Sequence, residues 1–210
     1  MTMPRRILMV FAKAPVAGYS KTRLIPELGA DGAANLQKEL ITRTLVNCVD
    51  KKHWQTQLWC APDCEHDVFS KAKKQYDAEL YAQCSGDLGQ RMQTAFEYNL
   101  SNAETQPCHV VIVGTDCPAM NAARVRQAFA ALLAGSDVVI NPAEDGGYVL
   151  LGMKVVYKQL FDEIPWGSSE VMQQTRRRAK NLRLSVSELA ELWDVDEIDD
   201  FRRYQALAMV

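Results

Sequence analysis

The chain has 210 residues, of which 48% are hydrophobic, and its 24 basic and 26 acidic side chains give a formal net charge of −2. A chain of this length can bury a full core without disulfides, and its near-neutral charge excludes the global positive field that drives non-specific binding to nucleic acid or anionic lipid. Any recognition of a polyanion must therefore be local, and we expect neither nucleic acid nor a membrane as a partner.

The N-terminal sequence MTMPRRILMVFAKAP places two arginines before an apolar run, as a secretory signal does. The run ends before Lys13 and is shorter than the roughly 7–15 apolar residues that such a signal requires. No apolar segment approaches the roughly 20 residues of a membrane-spanning helix. We therefore interpret the run as a first β-strand and expect a cytoplasmic protein.

Six cysteines lie scattered along the chain without a CxxC pair, which indicates reduced thiols rather than a disulfide framework. The one local cluster, CAPDCEH at 60–66, offers two thiols and an imidazole. A zinc site needs a fourth ligand and regular spacing, which this segment lacks. We therefore interpret it as the end of a strand followed by a turn.

Short apolar runs alternate with longer amphipathic stretches, a pattern typical of a mostly parallel sheet with helices on its faces. The runs are 6–11, 57–60, 80–83, 109–114, 137–141, 148–153 and 182–186. HVVIVG at 109–114 and DVVIN at 137–141 are continuous apolar runs, so we expect them to be the central strands.

Amphipathic helices are predicted between these runs. In 32–49, apolar residues recur at spacings of three and four and so form one stripe, and 88–100 and 124–133 show similar stripes. No repeat, low-complexity tract or Pro/Ser-rich linker divides the chain, so we expect a single domain over residues 1–210. In open sheets of this type, ligands bind at the carboxyl ends of the strands, which directs attention to the segments that follow the runs.

The loop FAKAPVAGYSKTRL at 11–24 carries three cations around a glycine. Gly18 permits a positive φ and close approach of the backbone, while Lys13, Lys21 and Arg23 can neutralise phosphate oxygens. The segment is not a Walker A loop, because the residue five before Gly18 is Lys13 and the following lysine is delayed to Lys21. The pattern suits a nucleoside di- or triphosphate, and a solvated basic loop without function is the alternative.

Asp116 lies in GTDCP at 114–118, directly after the strongest central run. A carboxylate in this position can meet a hard divalent cation, Mg²⁺ or Mn²⁺, that bridges phosphate oxygens held by the basic loop. Asp is also favoured in turns and helix caps, so a purely structural role is the alternative.

The segment NPAEDGGY at 141–148 joins two of the apolar runs. Gly146 and Gly147 let the backbone approach a ligand, and Glu144 and Asp145 lie where an acceptor could be bound or deprotonated. A plain hairpin with an Asp-Gly turn explains the same residues.

The segment DVDEIDDF at 194–201 holds four aspartates and a glutamate. These acids repel one another unless the first ones bind a cation or cap a helix. Capping by Asp196 is the structural interpretation, and it is compatible with metal ligation.

Two further segments are weaker candidates. SGDLGQRM at 85–92 is a glycine turn that leads into a helix, with Asp87 or Arg91 near the strand ends. In PWGSSE at 165–170, Trp166 could pack in the core or stack on a sugar or a base.

In this order the segments resemble those of a bacterial family of glycosyltransferase-like proteins, the radical-SAM/selenodomain-associated transferases. The matching motifs span nearly the whole chain and are FAKAPVAGYSKTRL, GDLGQRM, GTDCP, PAEDGGYVLLG, WGSS and DVDEIDDF. The resemblance implies a nucleotide-diphospho-sugar transferase domain of the GT-A type, a three-layer Rossmann-like α/β fold with a mostly parallel central sheet. The family is also similar to nucleotidyltransferases that make molybdenum-cofactor dinucleotides or guanylylate phospholactate, and the fold alone does not choose between these chemistries.

The resemblance assigns Asp116 as the metal-binding acid and Asp196, the second acid of DVD, as the second metal contact. Tyr19 departs from the family pattern, because a basic residue is common there, and this weakens the expected phosphate binding. The residues expected at the nucleotide and its phosphates are Lys13, Pro15, Gly18, Lys21, Arg23, Asp87 and Arg91. Those expected at the rest of the substrate are Glu144, Asp145, Gly146, Gly147 and Trp166.

The leading hypothesis is a glycosyltransferase-like enzyme that uses a nucleoside-diphosphate sugar. Asp116 and Asp196 would hold Mg²⁺ or Mn²⁺ on the diphosphate, and the cation together with the basic loop would stabilise the leaving group. If the reaction inverts the sugar, Asp145 is the expected base for the acceptor hydroxyl, with Glu144 second.

Two other hypotheses stay open. In a nucleotidyltransferase, an acceptor phosphate attacks the α-phosphate of a nucleoside triphosphate, a reaction that needs little or no protein base. A binding module would keep the fold without catalysis, and the presence of both candidate metal acids and all three cations argues against it. The sequence does not predict the nucleotide base, the sugar, the acceptor or the oligomeric state.

Overall fold

The computed structural model describes residues 3–101 and 107–208, which form a central sheet with helices on both faces. The strands are β1 (Arg5–Lys13), β2 (Gln55–Ala61), β3 (Glu79–Ala82), β4 (Cys108–Gly114), β5 (Val138–Pro142), β6 (Tyr148–Met153) and β7 (Val186–Glu188). The helices are α1 (Ile25–Cys48), α2 (Asp67–Tyr76), α3 (Leu88–Leu100), α4 (Ala122–Leu133), α5 (Val171–Asn181) and α6 (Ile198–Ala208).

The strands form a seven-stranded sheet in the order β3-β2-β1-β4-β6-β5-β7. Only β6 runs antiparallel, to both β4 and β5, and the other pairings are parallel. The predicted mostly parallel α/β fold is confirmed. The hairpin predicted for 141–148 is also present, because β5 and β6 are antiparallel neighbours.

The alternation of side chains along β1 shows why three layers form. Leu8, Val10 and Ala12 pack into a core on one face, with residues of α1, α2 and α4. The intervening Ile7 and Met9 pack into a second core on the other face, with residues of α3 and α5. Fully burying one such aliphatic side chain stabilises the fold by about 1.5–3 kcal/mol, so a strand that is apolar on both faces is held between two helical layers.

Two of the predicted strands differ from the structure. DVVIN, predicted as central, corresponds to β5, which is fully buried but lies next to the edge strand β7. The run predicted at 182–186 forms a strand only from Val186 onward, because Arg183 has a left-handed backbone (φ 56°) that interrupts extended structure. Leu182 and Leu184 pack against the second core instead.

Helix α3 has the predicted bounds, whereas α1 begins at Ile25, seven residues before the predicted start at 32. Gly29 has non-helical angles (φ 70°, ψ 168°) and kinks this first part of α1, which explains why the regular stripe begins only after it.

In the described residues, no helix is long and apolar enough to span a membrane. The organisation of 1–210 as a single domain stays a prediction.

Candidate functional site

The carboxyl ends of β1, β2, β4 and β5 lie at one edge of the sheet, and a cavity of about 460 Å³ opens there. Parallel strands in an α/β sheet bring the segments that follow them together in this way. The predicted site residues that line the cavity are Lys13, Lys21, Arg23, Arg91, Asp116, Asp145, Gly147, Trp166 and Asp196.

The cavity has an acidic end, which consists of Asp116, Asp194, Asp196 and the ammonium group of Lys21. The side chain of Lys21 is only 4% exposed. Its Nζ atom lies 3.0 Å from Oδ1 of Asp116 and 3.1 Å from Oδ1 of Asp196, and it donates a hydrogen bond of 2.6 Å to the carbonyl oxygen of Val195. Lys21 therefore links the segment after β1 to the segment after β4 and to the sequence DVD at 194–196, the DVD segment.

The neighbouring carboxylates keep the side chain of Lys21 protonated. Burial alone would lower the pKa of its ammonium group, but the carboxylates of Asp116 and Asp196 more than offset this and raise the pKa above its ordinary value. The group is therefore a fixed positive charge. The backbone of Lys21 is left-handed (φ 48°, ψ 45°), and the residue precedes a short 3₁₀ helix over Thr22–Leu24.

Asp116 is positioned by hydrogen bonds around its neighbour Thr115, which is 3% exposed. The side chain of Gln37 donates to the hydroxyl of Thr115 at 3.3 Å, and the hydroxyl of Thr44 donates to its carbonyl at 3.4 Å. The backbone N–H of Val195 donates to the carbonyl of Asp116 at 2.9 Å. These contacts tie the turn after β4 to α1 on one side and to the DVD segment on the other.

The DVD segment presents its two aspartates on one side because it alternates like a strand. Trp193 and Val195 are buried in a core cluster with Leu24 of the basic loop, while Asp194 and Asp196 are partly exposed at the cavity. Asp194 was not among the predicted site residues. Its position between two apolar residues, Trp193 and Val195, is a signal in the sequence, but only their burial in the folded chain makes this signal informative.

Asp194 is the most perturbed carboxylate of the acidic end. Burial raises its pKa to about 7, with further contributions from Asp145, Asp196 and Asp116 and a partial offset from Lys21. The carboxylate of Asp194 is thus repelled by three neighbouring carboxylates and lies near the buried ammonium group of Lys21. Such a cluster has an excess of negative charge that favours binding of a cation.

Arg23 and Asp200 complete the surroundings of Asp196. Arg23 is 59% exposed, and its Nη1 atom lies 3.0 Å from Oδ2 of Asp196. Asp196 is a candidate cap of α6, but its carboxylate contacts cations instead, and Asp200, the third residue of α6, accepts hydrogen bonds from the backbone N–H groups of Asp196 and Glu197 at 3.2 and 2.8 Å. The carboxylate of Asp196 is therefore committed to the two cations of the basic loop.

Asp145 lies in the tight connection between β5 and β6. Its Oδ1 atom accepts a hydrogen bond of 2.8 Å from the N–H of Gly147, which fixes the side chain in a local turn. Gly146 has φ 88°, and a Cβ atom there would lie 2.2 Å from the carbonyl oxygen of Ser169. This glycine is required by both its backbone angle and its packing.

Glu144 faces away from the cavity and pairs with helix α6. Its carboxylate accepts two hydrogen bonds from Arg203, at 2.8 and 3.3 Å. The guanidinium group of Arg203 also lies 4.3 Å from the ring centroid of Trp193. In the structure, Arg203 thus joins helix α6 to the connection between β5 and β6 through Glu144, and it also contacts Trp193.

The opposite, basic end of the cavity consists of Lys13, Tyr19, Gln83 and Arg91, which also line an adjoining cavity of about 670 Å³. Arg91 donates from Nε to the carbonyl of Gly86 at 2.9 Å. Neither Lys13 nor Arg91 forms an ion pair with any residue that the structure describes. Two cations thus face the cavity without a protein counter-charge.

The other predicted nucleotide contacts shape this end rather than line it. Gly18 has the predicted positive φ (81°) in the turn of the basic loop, and Pro15 lies in the same loop. Asp87 caps helix α3, because its Oδ1 atom accepts from the N–H of Gln90 at 2.9 Å and its own N–H donates to the Gln90 side chain at 3.0 Å. This capping box fixes the start of helix α3, whose first turn carries Arg91.

Trp166 lines the cavity and packs with one edge of its indole against Gly89 of helix α3. A Cβ atom at Gly89 would lie 2.5 Å from its Nε1 atom, so only glycine leaves room for the indole. Tyr148 meets the same ring edge-to-face, with centroids 6.2 Å apart. Trp166 is therefore held by packing at the position where the sequence predicted either a core residue or a stacking surface.

The acidic end suits a hard divalent cation, because its donors are carboxylate oxygens. The buried Oδ1 atom of Asp116 has the Lys21 ammonium as its ion-pair partner and no hydrogen bond of good geometry. Over 3–101 and 107–208, no three or more His, Cys, Asp or Glu side chains converge as a formed metal site. The residues that would hold Mg²⁺ or Mn²⁺ are Asp116 and Asp196, with Asp194 beside them.

The sheet order and the cavity at its carboxyl edge define an α/β protein with the architecture of nucleotide-diphospho-sugar transferases and cytidylyltransferases. The chain belongs to the family described as "Uncharacterized protein conserved in bacteria (DUF2064)", whose model matches residues 44–168. None of the curated proteins matches the sequence. An association with radical-SAM or selenodomain proteins stays a prediction.

Three solved structures illustrate the likeness. A protein from Desulfovibrio desulfuricans G20, provisionally named a nucleotide-diphospho-sugar transferase, is 30% identical, with a TM-score of 0.83 over 96% of this chain and 87% of that one. The 4-diphosphocytidyl-2C-methyl-D-erythritol synthase from Anaerococcus prevotii DSM 20548 is 11% identical, with a TM-score of 0.62 over 99% of both chains. A cytidylyltransferase from Leptospira borgpetersenii serovar Hardjo-bovis is 12% identical, with a TM-score of 0.62 over 97% of this chain and 86% of that one. The first and the third are transferases by name, the class of enzyme that the sequence predicted for this chain, and the second and third show likeness of fold alone.

Proposed function

We propose that this protein is a divalent-cation-dependent transferase whose donor is a nucleoside-diphosphate sugar. The observation that carries the proposal is the division of one cavity into an acidic end and a basic end. A nucleoside diphosphate carries negative charge that two unpaired cations can neutralise, while a divalent cation would join its phosphate oxygens to carboxylates.

In this proposal the basic end binds the nucleotide. Lys13 and Arg91 neutralise phosphate oxygens, and Tyr19, which is 70% exposed, offers an aromatic face beside them. Gln83 is oriented by a hydrogen bond of 2.8 Å from its Nε2 atom to the carbonyl of Trp59, which fixes its amide relative to the cavity.

The acidic end would stabilise the leaving group. When bound to Asp116 and Asp196, Mg²⁺ or Mn²⁺ would supply Lewis-acid stabilisation of the charge that develops on the departing diphosphate. Lys21 and Arg23 contribute positive charge from the basic loop on the same side. The backbone hydrogen bond from Val195 to Asp116 holds the two acid-bearing segments together before substrate binds, which lowers the cost of reorganising the carboxylates.

Asp145 is the residue proposed to take the proton of the acceptor hydroxyl. It lines the cavity, and its negative charge contributes to the raised pKa of Asp194, so the two carboxylates interact electrostatically. The local turn with Gly147 holds its side chain in place. Glu144 is not proposed as a base, because Arg203 engages its carboxylate.

Nucleotidyl transfer is the second candidate, favoured by the likeness of fold to the cytidylyltransferases. In that reaction the acceptor phosphate is already ionised, so Asp145 has no proton to take. The two reactions also release different products, because glycosyl transfer releases a nucleoside diphosphate whereas nucleotidyl transfer from a triphosphate releases pyrophosphate.

A thermal-shift panel of nucleoside diphosphates, nucleoside triphosphates and nucleotide sugars, each with and without Mn²⁺, tests the proposal. A ligand that binds only the folded protein raises its stability by about 2.7 kcal/mol at a hundredfold excess over the dissociation constant. We expect a metal-dependent shift with at least one nucleotide sugar. If no member of the panel gives such a shift, the proposed function is wrong.

The released product and one variant then separate the two reactions. If the enzyme transfers a sugar to a hydroxyl with inversion, Asp145→Asn reduces turnover by roughly 10²–10⁴-fold. If Asp145→Asn retains full turnover and pyrophosphate is released, the reaction is nucleotidyl transfer.

A further inference from the structure

We propose that Lys21 is an internal counter-cation that shares the binding position of the divalent cation, so that the metal ion and the Lys21 ammonium exchange with each other at the acidic end. This inference builds on the metal dependence in the proposed function. It concerns the protein's own affinity for the metal, which can be measured without any substrate.

The contacts of Lys21 are those expected of a bound cation. Its ammonium group is surrounded by three oxygens, from Asp116, Asp196 and the carbonyl of Val195, at 2.6 to 3.1 Å. A hard divalent cation prefers the same kinds of ligand, carboxylate and carbonyl oxygen. A metal ion bound by Oδ1 of both Asp116 and Asp196 would compete with the ammonium group for the space between the two carboxylates, because Nζ already lies 3.0 and 3.1 Å from those atoms.

The burial of Lys21 distinguishes it from the other cations of the site. Its side chain is 4% exposed, whereas that of Arg23, which contacts the other oxygen of Asp196, is 59% exposed. A buried ammonium group competes with an incoming cation at short range and in a less polar environment. An exposed guanidinium group is screened by water and can move aside at little cost.

The exchange gives the nucleotide a role in metal binding. Lys21 lines the same cavity as Lys13 and Arg91, so a phosphate bound there can accept the displaced ammonium group. The lysine side chain is a compact charge on a flexible stem, which suits such a transfer. Metal and nucleotide are therefore expected to strengthen each other's binding, and this coupling depends on Lys21.

The direct test is titration of the purified protein with Mn²⁺ alone, with free Mn²⁺ measured by electron paramagnetic resonance. We expect Lys21→Met to bind Mn²⁺ at least about tenfold more tightly than the unmodified protein, since the competing charge is gone. Arg23→Met is the matched control, because it removes a cation from the same carboxylate, and we expect it to change the affinity less than about threefold.

The left-handed backbone at position 21 disfavours methionine, so Lys21→Asn serves as a second variant. Asparagine adopts this conformation more readily than most residues, and it carries no charge. We expect it to show the same gain in Mn²⁺ affinity. Asp116→Asn in either background should abolish the gain, which locates the measured ion at the acidic end.

The outcomes are distinct from those of the nucleotide panel. If both Lys21 variants bind Mn²⁺ no more tightly than the unmodified protein, or if no variant binds it, the exchange does not occur and this inference is overturned. If the nucleotide panel fails while the Lys21 variants gain Mn²⁺ affinity, the proposed function is wrong and the exchange at the acidic end stands.

Discussion

The two ends of the cavity both contain charged groups, but they differ in how those charges are balanced. At the acidic end, the ammonium group of Lys21 is buried and held by two carboxylates and a carbonyl oxygen. At the basic end, Lys13 and Arg91 face the cavity without an ion pair to any described residue. Charges balanced within the protein fix its geometry, whereas unbalanced charges are available to a ligand. We therefore expect substitutions at the two ends to have different effects.

The largest effect on activity is expected from Asp116→Asn. This change removes a carboxylate charge from the acidic end but keeps the size of the side chain, so we expect turnover to fall by at least about 100-fold. Turnover would be measured with the substrate identified by the nucleotide panel. Asp199→Asn is the control, because Asp199 is exposed and, within the described part of the chain, its one ion-pair partner is Arg202 in the adjacent turn of α6. Turnover within tenfold of the unmodified enzyme would contradict the role of Asp116.

The turn that carries Asp145 should be the part of the site most sensitive to a single added methyl group. Gly146→Ala introduces a Cβ atom 2.2 Å from the carbonyl oxygen of Ser169 at a residue with φ 88°. We expect the free energy of unfolding to fall by about 2–4 kcal/mol, as measured by chemical denaturation. Gly135→Ala shares a positive φ (116°) but has no atom within 4 Å, so it should be less destabilising. Equal losses in the two variants would show that packing against Ser169 contributes nothing.

At the basic end, Arg91→Ala should weaken ligand binding without affecting the fold. A charge-assisted hydrogen bond to phosphate contributes about 1.5–3 kcal/mol, so we expect the dissociation constant of the nucleotide to rise at least tenfold. Isothermal titration calorimetry would measure this, and denaturation should show a change in stability below about 0.5 kcal/mol. Arg124→Ala is the control, because it removes a partly exposed arginine of α4 that does not line the cavity. A large loss of stability in Arg91→Ala would mean that this residue is structural.

The smallest effect is expected where the acidic end meets α6. Arg203→Ala removes a half-exposed ion pair with Glu144 and a contact with the Trp193 ring, and we expect a loss of about 0.5–1.5 kcal/mol in unfolding free energy. Added salt should reduce the difference between the variant and the unmodified protein. Arg202→Ala, whose partner Asp199 is 88% exposed, should be close to neutral. A loss larger than about 3 kcal/mol would indicate that this contact supports the whole DVD segment.

Local pattern was sufficient to predict most of the fold. The bounds of α3 and the positions of six strands follow from apolar runs and stripes, because those patterns report which side chains are buried. The same reasoning was wrong for DVVIN, since a continuous apolar run reports burial on both faces and not the position of a strand within the sheet. The short strand β7 covers the edge of β5, and its own sequence at 186–188 is too short and too polar to predict.

The candidate site was predicted less completely, because its key contacts join distant parts of the chain. The basic loop predicted that three cations neutralise phosphate oxygens, but the structure shows that Lys21 is buried against partners at positions 116, 195 and 196. Nothing near Lys21 in the sequence indicates this. Asp194 was missed because a run of acids does not by itself show which members share a side. That information lies in the burial of Trp193 and Val195, which depends on the tertiary fold.

The wide separation of these partners along the chain also has a consequence for biosynthesis. Chains are made from the N-terminus, at about 5–20 residues per second. Lys21 leaves the ribosome early, yet Val195 and Asp196, which supply two of its three oxygen partners, are made more than 170 residues later. Until then Lys21 must stay hydrated, because burial of an unpaired charge is costly. Completion of the acidic end is thus a late event in synthesis, and a nascent chain that stops short of the DVD segment has no complete partner set for this lysine.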